Sequence, residues 1–207
     1  DELPEFNRQV LEVLRQPLED GHITISRARY AVDYPARFML IASMNPCPCG
    51  HLNNPKRECT CSPFQVQRYL AKISGPLMDR IDLHIEVTPV PFDELHSRTA
   101  SEASTTIRAR VEAARTLQQQ RFANETGVYC NAQMGARLVR KHAILDNTGT
   151  QLIKMAIQRL GLSARGYDRV LKVARTIADL AASPNILAEH VAEAIQYRSL
   201  DRSRWQG

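Results

Sequence analysis

Four cysteines fall within fifteen residues of this chain, Cys47, Cys49, Cys59 and Cys61, written CPC…CTC with nine residues between the pairs. Four thiolates complete a tetrahedral zinc site, although a CxC pair is tighter than the usual CxxC knuckle and His51 offers a substitute ligand. A reduced, metal-free cluster is the competing reading, since disulfides do not persist in a reducing compartment. Two further positions suit phosphate chemistry. Asn45 ends the apolar run FMLIASMN just before Pro46. An amide there orients a water against a phosphate without adding charge, or merely forms the turn that Asn before proline often forms. Arg80 stands in GPLMDRIDL between Asp79 and Asp82. It either neutralises charge developing on a transferred phosphoryl group or makes an ordinary salt bridge to one of those acids.

The elements that must position these groups are legible by pattern. Leu3, Phe6, Val10, Val13 and Leu14 trace one face of a helix that Pro17 and Gly21 are expected to end. HITI (22–25) and YAVDY (30–34) form a hairpin around Ser26–Arg29, which places Arg27 and Arg29 near its tip. Phe38–Ser43 and Ile81–Val87 read as buried strands of a parallel sheet. Between them lie a loop over Asn45–Pro63, holding four prolines, and a short helix over Phe64–Ile73. Pro89 and Pro91 break the chain. Helices are expected over Ser101–Arg121, with Ile107, Val111, Ala114 and Gln118 on one face, then Gln133–Leu145, Gln151–Leu160, Ser163–Ala182 and Ala188–Arg198. Ser163 is the N-cap of the fourth and Pro184 stops it. Its stripe of Tyr167, Val170, Leu171, Ala174, Ile177, Ala178 and Ala181 marks it as the centre of a bundle. The fold class is therefore α/β plus all-α, divided into residues 1–92 and 93–207.

With 207 residues and 43% hydrophobic content, the chain has ample material for a core. Its net charge of +5, from 27 Lys+Arg against 22 Asp+Glu, permits a polyanionic partner without demanding one. Most of those cations are arginines, which suit planar phosphate contacts. No apolar run approaches the roughly 18 residues needed to span a membrane. The opening DELPEF is acidic and lacks an apolar segment, so no secretory leader is expected and the chain reads as cytoplasmic.

Taken in order, DE, a strand ending Asn-Pro, GPLMDRIDL, and LSARGYDRVLKVARTIADL in a helical bundle resemble the AAA+ ATPases of the magnesium-chelatase class. The resemblance spans the whole chain and is strongest to the ComM-type (YifB) branch; the MCM helicases are more distant relatives. It implies a truncated AAA+ core with a pre-sensor 1 hairpin, followed by a helical lid. Asp1 and Glu2 resemble the end of Walker B, where Asp holds Mg²⁺ and Glu polarises the attacking water. On the dipeptide alone they are as readily an acidic helix start. Asn45 resembles sensor 1, Arg80 an arginine finger reaching the neighbouring subunit, and Arg165 sensor 2, in preference to Arg169 one turn on. The hairpin resembles the insertion that touches DNA in the ring pore, with Arg27 and Arg29 on phosphates. A cationic tip that blunts strand pairing is the competing account. The cysteine loop supports the ComM-like branch over the chelatase subunits proper, and Cys130 reads as structural.

The resemblance further implies ATP and Mg²⁺ as cofactors, a homo-hexameric ring, and movement on DNA in branch migration during natural transformation. Two other functions stay open: powering metal insertion into a porphyrin, and serving as an interaction module for a protein client. No GxxxxGK[ST] loop occurs in these residues. They are therefore expected to be the C-terminal piece of a longer protein, and by themselves neither to bind nor to hydrolyse ATP well.

Overall fold

A computed structural model describes residues 1–88, 90, 101–198 and 200 of the chain. They form two compact units that part between Ile81 and Asp82, with Leu200 returning to the first. The expected break at Pro89 and Pro91 and the expected boundary at 92/93 lie outside the described residues. No described helix is long and apolar enough to cross a membrane.

The first unit opens on a 3-10 turn, Leu3–Glu5, followed by α1 (Arg8–Val13) and α2 (Arg15–Asp20). Asn7 caps α1 by accepting from the Gln9 amide. The expected single helix ending at Pro17 is thus two. Pro17 sits in the first turn of α2, where a missing N–H leaves no bond unmade. Gly21 ends α2 with φ 69°, a left-handed cap that a side chain would strain. Strands β1 (His22–Arg27) and β2 (Tyr30–Pro35) then pair antiparallel, Arg27 opposite Tyr30. Their two-residue turn is Ala28-Arg29.

This hairpin is the one sheet among the described residues. The two strands expected at Phe38–Ser43 and Ile81–Val87 do not form, and with them the partial parallel sheet. A strand needs lateral hydrogen-bond partners, and a strand apolar on both faces needs covering layers as well. Among the described residues these segments have isolated backbone bonds, such as Leu3 N–H to the Ser43 carbonyl, but no strand ladder, and Met39 and Ile41 stand 81% and 79% exposed. The core of the unit lies instead beneath α1 and the later turns: Leu3, Leu11, Ile73, Leu77 and Met78. Helix α3 (Pro63–Leu70) follows the cysteine loop and begins on a capping box, in which the Ser62 hydroxyl accepts from the Gln65 amide and the Gln65 side chain accepts from the Ser62 amide. Helix α4 (Gly75–Met78), capped by Ser74, is too short for periodicity to announce.

The second unit contains α5 (Ser104–Arg121), a 3-10 turn (Asn131–Gln133), α6 (Ala136–His142), α7 (Asn147–Leu160), α8 (Ala164–Leu180) and α9 (Ala188–Gln196). Helix α8 is central, packing against α5, α6, α9 and the 3-10 turn. Ser163 caps it as expected, accepting from the Gly166 amide at 3.1 Å. Ser163→Ala should cost about 1 kcal/mol in a chemical melt. Val170, Leu171, Ala174 and Ala178 are buried along the expected stripe, whereas Ala181 is exposed. In α5 only Ala114 and Gln118 of the expected face are buried; Ile107 and Val111 remain exposed.

The centre of this bundle is not wholly apolar. Arg175 and Asp179, on the buried face of α8, are 4% and 3% exposed. Arg121 from α5 grips Asp179 with two hydrogen bonds of 2.7 and 2.5 Å. Asn131 donates to the same carboxylate at 2.8 Å, and Arg175 Nε at 3.1 Å. Arg175 spends its other donors on the carbonyls of Ser183 and Pro184. Every charge is met, as a buried network requires.

Candidate active site

The 3-10 turn at the start of the chain and the segment ending at Asn45 are tied together. The Leu3 amide donates to the Ser43 carbonyl at 2.9 Å, and the Ser43 hydroxyl donates to the Asp1 carboxylate. Between them opens a cleft of about 220 Å³ lined by Asp1, Glu2, Ser43, Met44 and Asn45. Two carboxylates and one neutral amide thus converge on water-accessible space. Glu2 adopts the left-handed region, φ 52° and ψ 48°, a strained backbone for a residue with a Cβ. Ser43 was not singled out by sequence reasoning. Its hydroxyl lies two residues before Asn45, inside an apolar run, and its bond to Asp1 spans forty-two positions.

The remaining candidates lie elsewhere. Arg80 does not line the cleft. Its NH1 donates to the Pro76 carbonyl at 2.7 Å, and its Nε lies 3.1 Å from the Glu19 carboxylate, in ion-pair range without the alignment of a hydrogen bond. The side chain is 11% exposed. A local ion pair does exist, with Glu19 rather than with Asp79 or Asp82, and only the tertiary fold could reveal that partner. Arg165 belongs to the helical unit, exposed in the first turn of α8. Arg169 is paired with Asp82. Arg27 and Arg29 occupy the exposed tip of the hairpin, the first as the last residue of β1 and the second in the turn.

The four cysteines come together. All their sulfurs lie within 4.8 Å of one another, with no place taken by His51. Three of the separations are 3.5, 3.7 and 3.6 Å. A tetrahedron with Zn–S bonds of about 2.3 Å has edges of roughly 3.8 Å, so the group is already near the size one ion requires. Cys47 is fully buried, and its sulfur accepts from the Leu52 amide at 3.3 Å. The His51 amide holds the Cys49 thiol down at about 5. At Cys59 the Cys61 amide favours the thiolate, but burial and the neighbouring sulfurs outweigh it and push the thiol up to about 12. One sulfur is thus a ready anion, while like-charge repulsion resists further ionisation until a cation enters.

Residues 1–95 match the family model described as magnesium chelatase, subunit ChlI, and residues 101–198 match the model of the ChlI C-terminal part. The chain is similar to the YifB protein of Salmonella typhimurium, 43% identical over 204 residues, 98% of this chain and 39% of that protein. It is likewise similar to competence protein ComM of Haemophilus influenzae, 42% identical over 203 residues, 98% of this chain and 38% of that protein. YifB of Escherichia coli is 42% identical over 204 residues, again 98% of this chain and 39% of the relative. The chain therefore spans about two fifths of the length of these relatives.

Proposed function

Because the chain belongs to the magnesium chelatase ChlI-like family, with ComM and YifB among its relatives, we propose that it is part of an AAA+ ring ATPase that moves DNA. The cleft lined by Asp1, Glu2 and Asn45 supports this reading, since two carboxylates and a neutral amide in one place suit the roles of metal ligand, base and water-orienting group. In the full-length protein Asp1 would hold Mg²⁺ beside ATP, where the ion would supply positive charge to the phosphate oxygens. Glu2 accepts the proton of the attacking water and Asn45 orients that water. Arg80 reaches the nucleotide of the adjacent subunit in a hexamer, and Arg165 couples phosphate state to the helical unit. Cys47, Cys49, Cys59 and Cys61 would hold a structural zinc ion. These residues contain no phosphate loop, so on their own they bind ATP poorly; micromolar affinity in a nucleotide titration contradicts that.

The hairpin supplies the DNA contact, through Arg27 and Arg29 on phosphates rather than bases. The motor acts in the cytoplasm, in branch migration during recombination and natural transformation; the competence name of one relative supports this setting. In the full-length protein, single-stranded or forked DNA is expected to raise ATP turnover. Arg27→Ala combined with Arg29→Ala should abolish the rise while leaving the basal rate unchanged. The description of the matching models favours a second reading, an ATPase subunit powering metal insertion into a porphyrin. No stimulation by any DNA puts that reading ahead.

A further inference from the structure

We propose that the metal-closed cysteine loop is the positioning device for the Asn45 amide, so that occupancy of the four-cysteine centre governs ATP turnover rather than ATP binding. The effect on turnover rests on the reading of Asn45 given above; the mechanical link does not.

Asn45 is exposed and belongs to no helix or strand, so the secondary-structure ladders do not hold it. Three contacts do. Cys47, two residues on, is fully buried and contributes one sulfur to the centre. Gly50, at φ 78°, lies beside the amide, where an added Cβ would stand at ordinary van der Waals distance, 3.8 Å, from Asn45 Oδ1. The Gly50 amide in turn donates to the Cys47 carbonyl at 3.0 Å. Finally, the hydroxyl of Tyr69, 7% exposed on α3, meets the Asn45 backbone amide. Helix α3 starts directly after Cys61, at the capping box of Ser62. One ion bonded to Cys47, Cys49, Cys59 and Cys61 therefore closes the loop at both ends: at the segment that carries Asn45, and at the helix whose tyrosine braces it.

The centre suits a single ion. Cysteine ligands of an iron–sulfur cluster bind different irons and stand further apart than sulfurs gathered within 4.8 Å. With the ion gone, the two ends are tied by the sulfur contacts of Cys59 with Cys47 and Cys49, the Thr60 amide at the Cys49 sulfur and the Tyr69–Asn45 contact, all weaker than metal–thiolate bonds. A catalytic amide that drifts by about 1 Å costs on the order of 10²-fold in rate.

The test uses the full-length protein, its metal measured by elemental analysis, then stripped by chelation or lost through Cys59→Ser. One zinc per chain is expected. Its loss should raise amide hydrogen exchange over residues 44–52, leave exchange over α8 unchanged as a check that the fold persists, and lower kcat at least about tenfold with KM for ATP changed less than about twofold. Cys59→Ser and Asn45→Ala together should be no slower than the worse single variant, because both act through one group. No bound metal overturns the proposal. So does metal loss that alters neither exchange at 44–52 nor kcat, or losses that multiply in the double variant. If exchange rises as expected but Asn45→Ala keeps full activity, the role assigned to Asn45 fails, and with it the control of turnover.

Discussion

Arg80→Ala in the full-length protein is expected to cut ATP turnover by about 10³-fold or more, the loss found when an arginine finger is removed. Melting should change by about 1–3 kcal/mol, the cost of removing a charge-assisted hydrogen bond and ion pair from a largely buried side chain. The two numbers separate the competing roles of this side chain. Here Arg80 faces Glu19 and the Pro76 carbonyl within its own unit. If that clamp were its purpose, activity would fall only as far as folded protein is lost, and the melting temperature would fall with it. If it serves a neighbouring subunit, it must leave Glu19 to do so. Mixed oligomers give the second readout. Arg80→Ala subunits combined with Glu2→Gln subunits should recover part of the rate, since some boundaries then pair an intact arginine with an intact carboxylate. No recovery at any mixing ratio would sink the shared-site reading.

Asp179→Ala should destabilise the helical unit by about 3–5 kcal/mol, since it leaves Arg175 buried without its counter-charge and frees Arg121. The melting midpoint of that unit should drop by on the order of 10–20 °C. Asp179→Asn, which keeps the shape and one acceptor, should lose less; equal losses would mean that packing rather than charge sets the cost. The network also predicts acid sensitivity. Burial raises the Asp179 pKa, but hydrogen bonds from Arg121 and Asn131 and the nearby guanidinium charges outweigh it and hold the carboxyl below its ordinary value of 3.8. A depressed folded-state pKa gives stability that is complete above the unfolded value and drains as pH falls through the folded one. Wild-type protein should therefore lose this contribution only below about pH 4, and Asp179→Asn should flatten that part of the curve.

Helix α8 shows what periodicity reveals and what it hides. Its start at Ser163 and its stripe of Val170, Leu171, Ala174 and Ala178 were legible, because a cap and a 3.6-residue repeat are local facts. Arg175 and Asp179 share the buried face, yet charged residue types read as solvent until Arg121 and Asn131 are seen to meet them. Phe38–Ser43 erred the other way. Its apolar run is what a buried strand looks like, but strandhood is a relation to neighbours, and none pairs with it among the described residues.

The sequence by itself determined the family order of DE, Asn45, Arg80 and Ser163-Ala-Arg165, the hairpin with Arg27 and Arg29 at its tip, and the four-cysteine count. Each of these is written in adjacent or closely spaced residues. Only the tertiary structure decided that Ser43 bonds Asp1, that Glu19 holds Arg80, that the four sulfurs meet within one ion's reach without His51, and that Asp179 anchors the bundle. Those are contacts between residues as many as 61 positions apart, or choices among several nearby candidates. Chain closure and burial settle them, and residue type alone does not.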